Sequence, residues 1–198
     1  AGNFAATLVL RPDGSAETAA LRSFVAALAL YDACITVTGR TAGFELKWPN
    51  DVWVNDKKLA GILVELVQTP RGATAVIGIG MNVDLSPDQM SKIDQEVVCL
   101  RRLGVAISRQ DLVVAIYQYV LANVDLFERE GFDRFIPAFD SVHRLHDGPA
   151  VLLAGRGIQE GVVRGVDHDG ALLFEENGII CRITGGEVSL RPSNFGKT

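Results

Sequence analysis

The pattern of the chain changes at Asp147-Gly148-Pro149, and this change constrains the fold more than any other feature. Before it, strand-like and helix-like segments alternate. After it, short apolar runs follow one another closely, with turn residues between them. The runs are Val151–Leu153, Gly161–Val166, Ala171–Glu175, Ile179–Ile183 and Val188–Leu190. Because several short strands at close spacing are typical of a small barrel, we expect two domains, residues 1–147 and an SH3-like β-barrel formed by residues 148–198.

The first domain contains several predicted strands. They are Phe4–Leu10, Phe44–Trp48, Val52–Val54, Ile62–Leu66 and Thr74–Val83. Pro49 stops the second strand, since proline cannot donate to a strand ladder. The polar segment Asn55-Asp56-Lys57-Lys58 joins the third and fourth strands and has the form of a β-hairpin. Thr74–Val83 is almost continuously apolar, which indicates a buried central strand.

Two long helices are predicted in the same domain. Ser15 is a suitable N-cap for a helix that runs to about Cys34, and Ser108 for a second helix that ends at Gly131. Apolar residues recur along the second helix at the spacing of one buried face, with Leu112, Ile116, Val120 and Val124 at its centre. We expect shorter helical pieces between Phe132 and His146. The domain is therefore of the α+β class.

Charge and composition exclude several classes of protein. The net charge of −5 argues against a general nucleic-acid binder, because phosphate neutralisation needs clustered Lys and Arg. The Ala- and Leu-rich segment from Leu21 to Ile35 is interrupted by Arg22, Ser23 and Asp32, so we interpret it as a core helix and exclude a transmembrane helix on length. The start of the chain has no basic region typical of a signal peptide. We expect a cytoplasmic protein without a membrane segment.

Cysteine and histidine do not form a metal-binding pattern. Cys34, Cys99 and Cys181 lie far apart in the sequence, and we interpret them as reduced, half-buried thiols. His143 and His146 have helical spacing without a carboxylate or cysteine that completes a ligand set, so we expect them on the solvated surface. We assign no metal-binding residue from these patterns.

Two polar or glycine-rich segments are hard to explain by packing. Lys47, Asn50, Asp51 and the hairpin residues crowd polar groups around two strand ends, which fits either a charged, solubilising hairpin tip or a ligand site. Lys58 favours a ligand site because the small residues after it would let a ligand approach the backbone. The glycines of Gly78-Ile79-Gly80-Met81-Asn82 fit either strand crossing in a crowded core or close approach of a ligand.

Three ordered motifs resemble the consecutive signatures of biotin protein ligases. They are Lys47-Trp48-Pro49-Asn50-Asp51, Lys58-Leu59-Ala60-Gly61-Ile62-Leu63-Val64-Glu65 and Gly78-Ile79-Gly80-Met81-Asn82-Val83. The segments 165–173 and 185–191 are similar to the terminal barrel of that family, so the resemblance spans essentially the whole chain. It implies a mixed β-sheet packed with helices, of the class II synthetase-like, lipoate–biotin ligase type, followed by the SH3-like barrel.

The resemblance also implies a reaction. Members of the family join biotin to ATP with Mg²⁺, which gives biotinyl-5′-AMP and pyrophosphate. They then transfer biotin to one lysine of a biotin carboxyl carrier protein, a subunit of acetyl-CoA carboxylase or of another biotin-dependent carboxylase. The resemblance is compatible with a homodimer, and nothing in this chain supports DNA binding. A non-catalytic ligase-like module that binds a carrier or dimerises, or a relative of lipoate ligases, are the alternatives.

Site roles follow from the matching positions. By resemblance, Lys58 contacts the biotin carboxylate and the adenylate phosphate, and Asp51 handles either the acceptor lysine or the metal, with Mg²⁺ bound through the nucleotide. Gly78 lines the biotin pocket and Asn82 meets the adenine. Further expected binding residues are Lys47, Trp48, Asn50, Gly61, Ile62, Leu63 and Gly80 in the first domain, with Glu187 and Arg191 in the barrel.

The resemblance also bears on the start of the chain. Members of the family carry a Ser/Thr-rich element and a Gly/Arg-rich loop before the segment that matches Gly2-Asn3-Phe4. This sequence begins just after both, so we expect either part of a longer polypeptide or a divergent protein that lacks normal ligase activity, and the absence of an initiator Met favours the first.

Overall fold

The computed structural model describes residues 3–10, 16–39, 43–69, 72–154, 157–184 and 189–192. The first sheet contains β1 (Phe4–Leu10), β2 (Phe44–Lys47), β3 (Asp51–Val54), β4 (Lys57–Thr69) and β5 (Gly72–Met81). The helices are α1 (Ala16–Thr38), α2 (Pro87–Met90), α3 (Arg109–Glu130) and α4 (Ile136–Val142), with a 3₁₀ turn at Leu100–Leu103. The second sheet contains β6 (Pro149–Ala154), β7 (Gly157–Val166), β8 (Leu172–Glu176), β9 (Ile179–Ile183) and β10 (Ser189–Pro192).

The first sheet has the strand order β1-β5-β4-β3-β2, and each of its ladders is antiparallel. The α+β class is confirmed. A mixed sheet would contain parallel as well as antiparallel neighbours, and that expectation is wrong because each ladder described is antiparallel. Parallel neighbours need a long crossover between them, and the one helical connection, α1, joins β1 to β2 at opposite edges. The predicted hairpin is confirmed, with a tight turn at Asn55 and Asp56, whose φ angles of 48° and 64° suit a mirror-image turn.

Side chains alternate between the two faces of this sheet, and the helices of the described ranges pack against one face. Phe4, Ile77, Ile79, Ile62 and Val52 are buried on the face that meets α1. The intervening positions form the opposite face, which carries small residues such as Gly61, Gly78 and Gly80 beside exposed apolar side chains such as Val9 and Leu63. One face of the sheet therefore belongs to the core, and the other is free to form a groove.

Helix α1 is the central helix of the core. It extends to Thr38, beyond the predicted end at Cys34, and Val25, Ala26, Ala27, Ala29 and Leu30 are fully buried. Ala20–Thr38 has a mean hydropathy of 1.5, so it is long and apolar enough to cross a membrane by length and composition, and the exclusion on length was wrong. In this fold most of the segment is buried against the sheet and α3.

Helix α3 is confirmed at both ends. The Ser108 side chain accepts a hydrogen bond from the Asp111 backbone N–H at 3.1 Å, and Gly131 ends the helix with φ of 78°. The predicted face is buried, and it contains Leu112, Ile116, Val120, Val124 and Phe127. This face packs on α1.

The second sheet has the order β10-β6-β7-β8-β9, and its five strands correspond to the five predicted runs. Its buried residues Leu152, Val163 and Phe174 belong to the same continuous core as α1 and the first sheet. The domain boundary near residue 148 stays a prediction.

The surface assignment of the two histidines was wrong. The side chain of His143 is buried and stacks on Phe139, with ring centroids 5.5 Å apart, and His146 is partly buried. Sequence periodicity missed this because α4 ends at Val142, and His143 follows in extended backbone against β2. The cysteines are free thiols; Cys34 and Cys99 are buried, and Cys181 is exposed.

We expect Glu128→Gln to destabilise the core. Arg22 is 1% exposed, and its Nε donates to Glu128 Oε1 at 3.0 Å between α1 and α3. Because Glu128 is partly exposed, the loss should be about 2 kcal/mol, below that of a fully buried pair. Urea titration measures it, with Glu130→Gln at the exposed Arg134 pair as control, expected below about 0.5 kcal/mol. Equal losses in both variants would contradict this account.

We expect His143 to make stability depend on acid pH. Burial, followed by the nearby charges of His146, Arg144 and Lys47, lowers the pKa of His143 from 6.5 to about 3. Between these values the unfolded chain binds a proton that the folded chain does not, so the free energy of unfolding should fall as pH falls, by on the order of 1 kcal/mol per pH unit. His143→Gln should flatten the slope in urea titrations between pH 4 and pH 6.5. The exposed His168→Gln should leave it unchanged.

Candidate functional site

A groove of about 660 Å³ lies on the free face of the first sheet. Its floor is one row of cross-strand partners, Ala5, Gly80, Gly61, Asp51 and Lys47, which crosses all five strands. Partners across a ladder lie on the same face. The row therefore places small residues beside a carboxylate and an ammonium group.

A register shift in β4 brings Lys58 to the same face. Asp51 pairs with Gly61 and Val52 with Ala60, but Trp53 then pairs with Lys58 rather than with Leu59. The extra residue, Leu59, is fully buried. Because a bulge re-aims side chains, Lys58 lies on the groove side and its Nζ is 2.8 Å from Asp51 Oδ1.

The glycines of the floor differ in what surrounds them. A Cβ at Gly61 would lie 3.1 Å from Asp51 Oδ1 and 3.3 Å from Lys58 Nζ, so glycine leaves room for this ion pair. A Cβ at Gly78 or Gly80 would meet nothing nearer than a carbonyl oxygen at 3.7 Å or 4.0 Å. At those two positions glycine keeps the groove itself open.

Lys47 is the second cation of the site. Its Nζ lies 4.9 Å from the centre of the Trp53 ring, a cation–π contact. Burial lowers the pKa of Lys47, and the positive charges of Lys58, Arg144 and Arg191 act in the same direction, while Asp51 opposes them. Lys47 therefore holds its proton less tightly than an exposed lysine does.

The wall beside the floor is the Trp48–Asn50 turn. The Asn50 side-chain amide donates to the carbonyl of Ile62, and the Ile62 backbone N–H donates to the Asn50 carbonyl at 3.0 Å, so the turn is fixed to β4. The indole N–H of Trp48 donates to the carbonyl of Gly170, in the turn between β7 and β8, at 3.1 Å. Leu190 of β10 also lines the groove.

Comparison with known proteins identifies the family. Residues 1–82 match the sequence model of the biotin/lipoate A/B protein ligase family. The biotin–[acetyl-CoA-carboxylase] ligase of Paracoccus denitrificans is 38% identical over 181 residues, which cover 88% of this chain and 74% of that protein. The chain belongs to the biotin protein ligase family.

The chain matches other relatives over different shares of their length. The bifunctional ligase/repressor BirA of Escherichia coli (strain K12) is 37% identical over 149 residues, which are 75% of this chain and 46% of that protein. The chain thus matches about half the length of this relative. The crystal structure of the Aquifex aeolicus biotin protein ligase has 26% identity and a TM-score of 0.83, and the match covers 97% of this chain and 83% of that one. The A. aeolicus protein has also been solved with biotin and ATP.

Most of the site residues expected from the ligase motifs come together. Those that line the groove are Lys47, Trp48, Asn50, Asp51, Lys58, Gly61, Ile62, Leu63, Gly78 and Gly80. Asn82 does not line it; its side-chain amide lies 3.4 Å from the carbonyl oxygen of Lys58, to which it donates. Arg191 is exposed on β10, near enough to influence Lys47. Glu187 lies outside the described residues.

Sequence reasoning missed several groove residues. Ala5, Thr7, Gln95 and Leu190 also line the groove. The alternation of β1 could have revealed Ala5 and Thr7, because they oppose Gly80 and Gly78. Gln95 and Leu190 are far away in sequence and carried no such signal.

Asp51 is the one carboxylate among the described lining residues, which fits a magnesium ion held mainly by phosphate oxygens.

Proposed function

We propose that this chain carries the two-step reaction of its family. In the first step biotin and ATP form biotinyl-5′-AMP and pyrophosphate. In the second, biotin is transferred to one lysine of a biotin carboxyl carrier protein of acetyl-CoA carboxylase or another carboxylase. The observation that carries the proposal is the Lys58–Asp51 pair, 2.8 Å apart at the edge of a glycine floor. A cytoplasmic location and a homodimer are part of the same proposal.

Lys58 serves both steps. In the first, a biotin carboxylate oxygen attacks the α-phosphorus of ATP, and the bond to the β-phosphate bridging oxygen breaks. In the second, the acceptor amine attacks the biotinyl carbonyl carbon, the carbon–oxygen bond breaks, AMP leaves and the amine loses a proton. Negative charge builds on oxygens in both, and a fixed ammonium stabilises it. The bulge and the contact with Asp51 hold that ammonium in place.

Asp51 has two roles compatible with its position. Its carboxylate is partly exposed to the groove and already binds one ammonium, so it can receive the acceptor lysine. It can also hold Mg²⁺ that is bound mainly through the nucleotide; the ion would supply charge stabilisation at the phosphates. Lys47 adds a second positive charge on the same floor, which favours a polyanionic substrate.

The glycines Gly78 and Gly80 provide the apolar part of the site. Together with Thr7 and the exposed Leu63 they line the groove, and they leave β5 without side chains at these two positions. An uncharged ring system such as that of biotin can lie against such a surface, with its carboxylate toward Lys58.

We expect Lys58→Ala to reduce biotin-dependent ATP–pyrophosphate exchange by about a hundredfold or more, because it removes a charge that stabilises the transition state. Lys57→Ala is the matched control, since Lys57 is the preceding residue and pairs with Glu96 outside the groove. It should retain the exchange rate of the unmodified chain. Equal rates for Lys58→Ala and Lys57→Ala would refute the role of Lys58. Binding of a carrier protein by a chain that catalyses no exchange would indicate a non-catalytic module instead.

We expect Gly80→Ala to weaken biotin binding without unfolding the chain. The added methyl group fits the protein but projects into the groove. Calorimetry with biotin should give a dissociation constant at least about tenfold higher, because a well-packed ligand cannot move aside freely. Val76→Ile adds one methyl group on the same face of β5 outside the groove, so it should leave the constant unchanged. Tight binding by Gly80→Ala would place biotin elsewhere.

A further inference from the structure

A turn of the second sheet lies directly behind the Trp48 wall. We name residues 167–171, between β7 and β8, the clamp turn. The carbonyl of Gly170 in this turn accepts the indole N–H of Trp48. Trp48 and Pro49 line the groove on one side and a second cavity of about 600 Å³ on the other, which Gly170 and Ala171 also line. The wall of the groove is thus supported from behind by a different sheet.

The clamp turn is closed by its own contacts and by Arg182. Asp167 Oδ1 accepts the backbone N–H groups of Asp169 at 2.9 Å and Ala171 at 3.0 Å. Arg182 of β9 donates to the other oxygen of Asp167, and to Asp169 at 2.7 Å. Burial acts to raise the pKa of Asp167, but the hydrogen bonds from Arg182 and the two backbone amides lower it overall. The carboxylate that closes the turn therefore stays charged near neutral pH.

Helix α1 fixes the clamp turn from the other side. Gly170 has a φ of 75°, and a Cβ there would lie 2.7 Å from the Phe24 ring and 3.0 Å from the Leu21 side chain. The backbone of Gly170 is therefore wedged between α1 and the Trp48 indole. A small opening of the turn would move the carbonyl that holds Trp48.

We propose that the clamp turn, closed by Arg182, is a positioning element for the groove. Through Gly170 it fixes Trp48 and with it the wall formed by residues 48–50, so the second sheet sets the affinity of a site whose catalytic side chains lie on the first. The proposal rests on the proposed function, in which the ligand of the groove is biotin. Arg182 does not touch the ligand; it acts through Asp167, Gly170 and Trp48.

Arg182→Gln and Arg164→Gln form a matched pair of variants for the test. Both arginines lie in the second sheet and each binds two carboxylates, but Arg164 binds Asp147 and Glu175, outside the clamp turn. The chain has 2 tryptophans, so a ¹⁵N-labelled sample gives two indole N–H signals, and Trp53→Phe assigns them. Calorimetry with biotin is the second measurement, and thermal unfolding controls for stability.

We expect Arg182→Gln to shift the Trp48 indole signal, speed its hydrogen exchange and raise the dissociation constant for biotin on the order of fivefold. Arg164→Gln should change none of these. If Arg182→Gln folds poorly, Asp167→Asn opens the same contact while keeping a side-chain oxygen as acceptor.

Three results would overturn the proposal. They are an unchanged Trp48 signal in Arg182→Gln, a shifted signal with unchanged biotin affinity, and equal weakening by Arg164→Gln. If the unmodified chain bound no biotin, the proposed function would fail instead. The indole signals would then still decide whether Arg182 holds Trp48.

Discussion

Burial of one face of the first sheet is the constraint from which the rest of the structure follows. Helix α1 covers that face with fully buried residues such as Val25 and Leu30, and α3 packs on α1 in turn. Since side chains in a strand alternate, every residue committed to this core leaves its neighbours on the other face. The face opposite the core can therefore carry glycine, as at Gly61, Gly78 and Gly80, without loss of core packing.

The bulge in β4 interrupts this alternation and places Lys58 on the face that forms the groove. In regular pairing Leu59 would lie opposite Trp53 on the free face, and Lys58 would point into the core. The shift of register buries Leu59 fully and brings Lys58 to Asp51. Gly61 completes the arrangement, because a Cβ there would lie 3.1 Å from Asp51 Oδ1 and would crowd the ion pair. One irregular backbone position thus lets a buried strand present a charged group.

The sequence predicted the elements well where local patterns determine them. The hairpin at Asn55 and Asp56, the cap at Ser108 and the end of α3 at Gly131 depend on residues close in the chain. The motif residues could be assigned to one site because, in the family that the motifs resemble, these residues lie together. The predictions of a mixed sheet and of a solvent-exposed His143 were wrong, because strand direction and burial both depend on which distant segments pack together.

The contribution of the second sheet was the hardest part to predict, and the reason is physical. By resemblance, Glu187 and Arg191 reach from the second domain toward the ligand, and this stays a prediction. The structure adds two groups that the resemblance did not indicate: Leu190, which lines the groove, and the carbonyl of Gly170, which accepts the Trp48 indole N–H. A backbone carbonyl has no signature in the sequence. The position of this carbonyl depends on Gly170, which fits against Phe24, and on the contact of Arg182 with Asp167. Its role is seen once the fold places Trp48 beside it. The groove is therefore encoded by the motifs on its floor and by packing that those motifs do not contain.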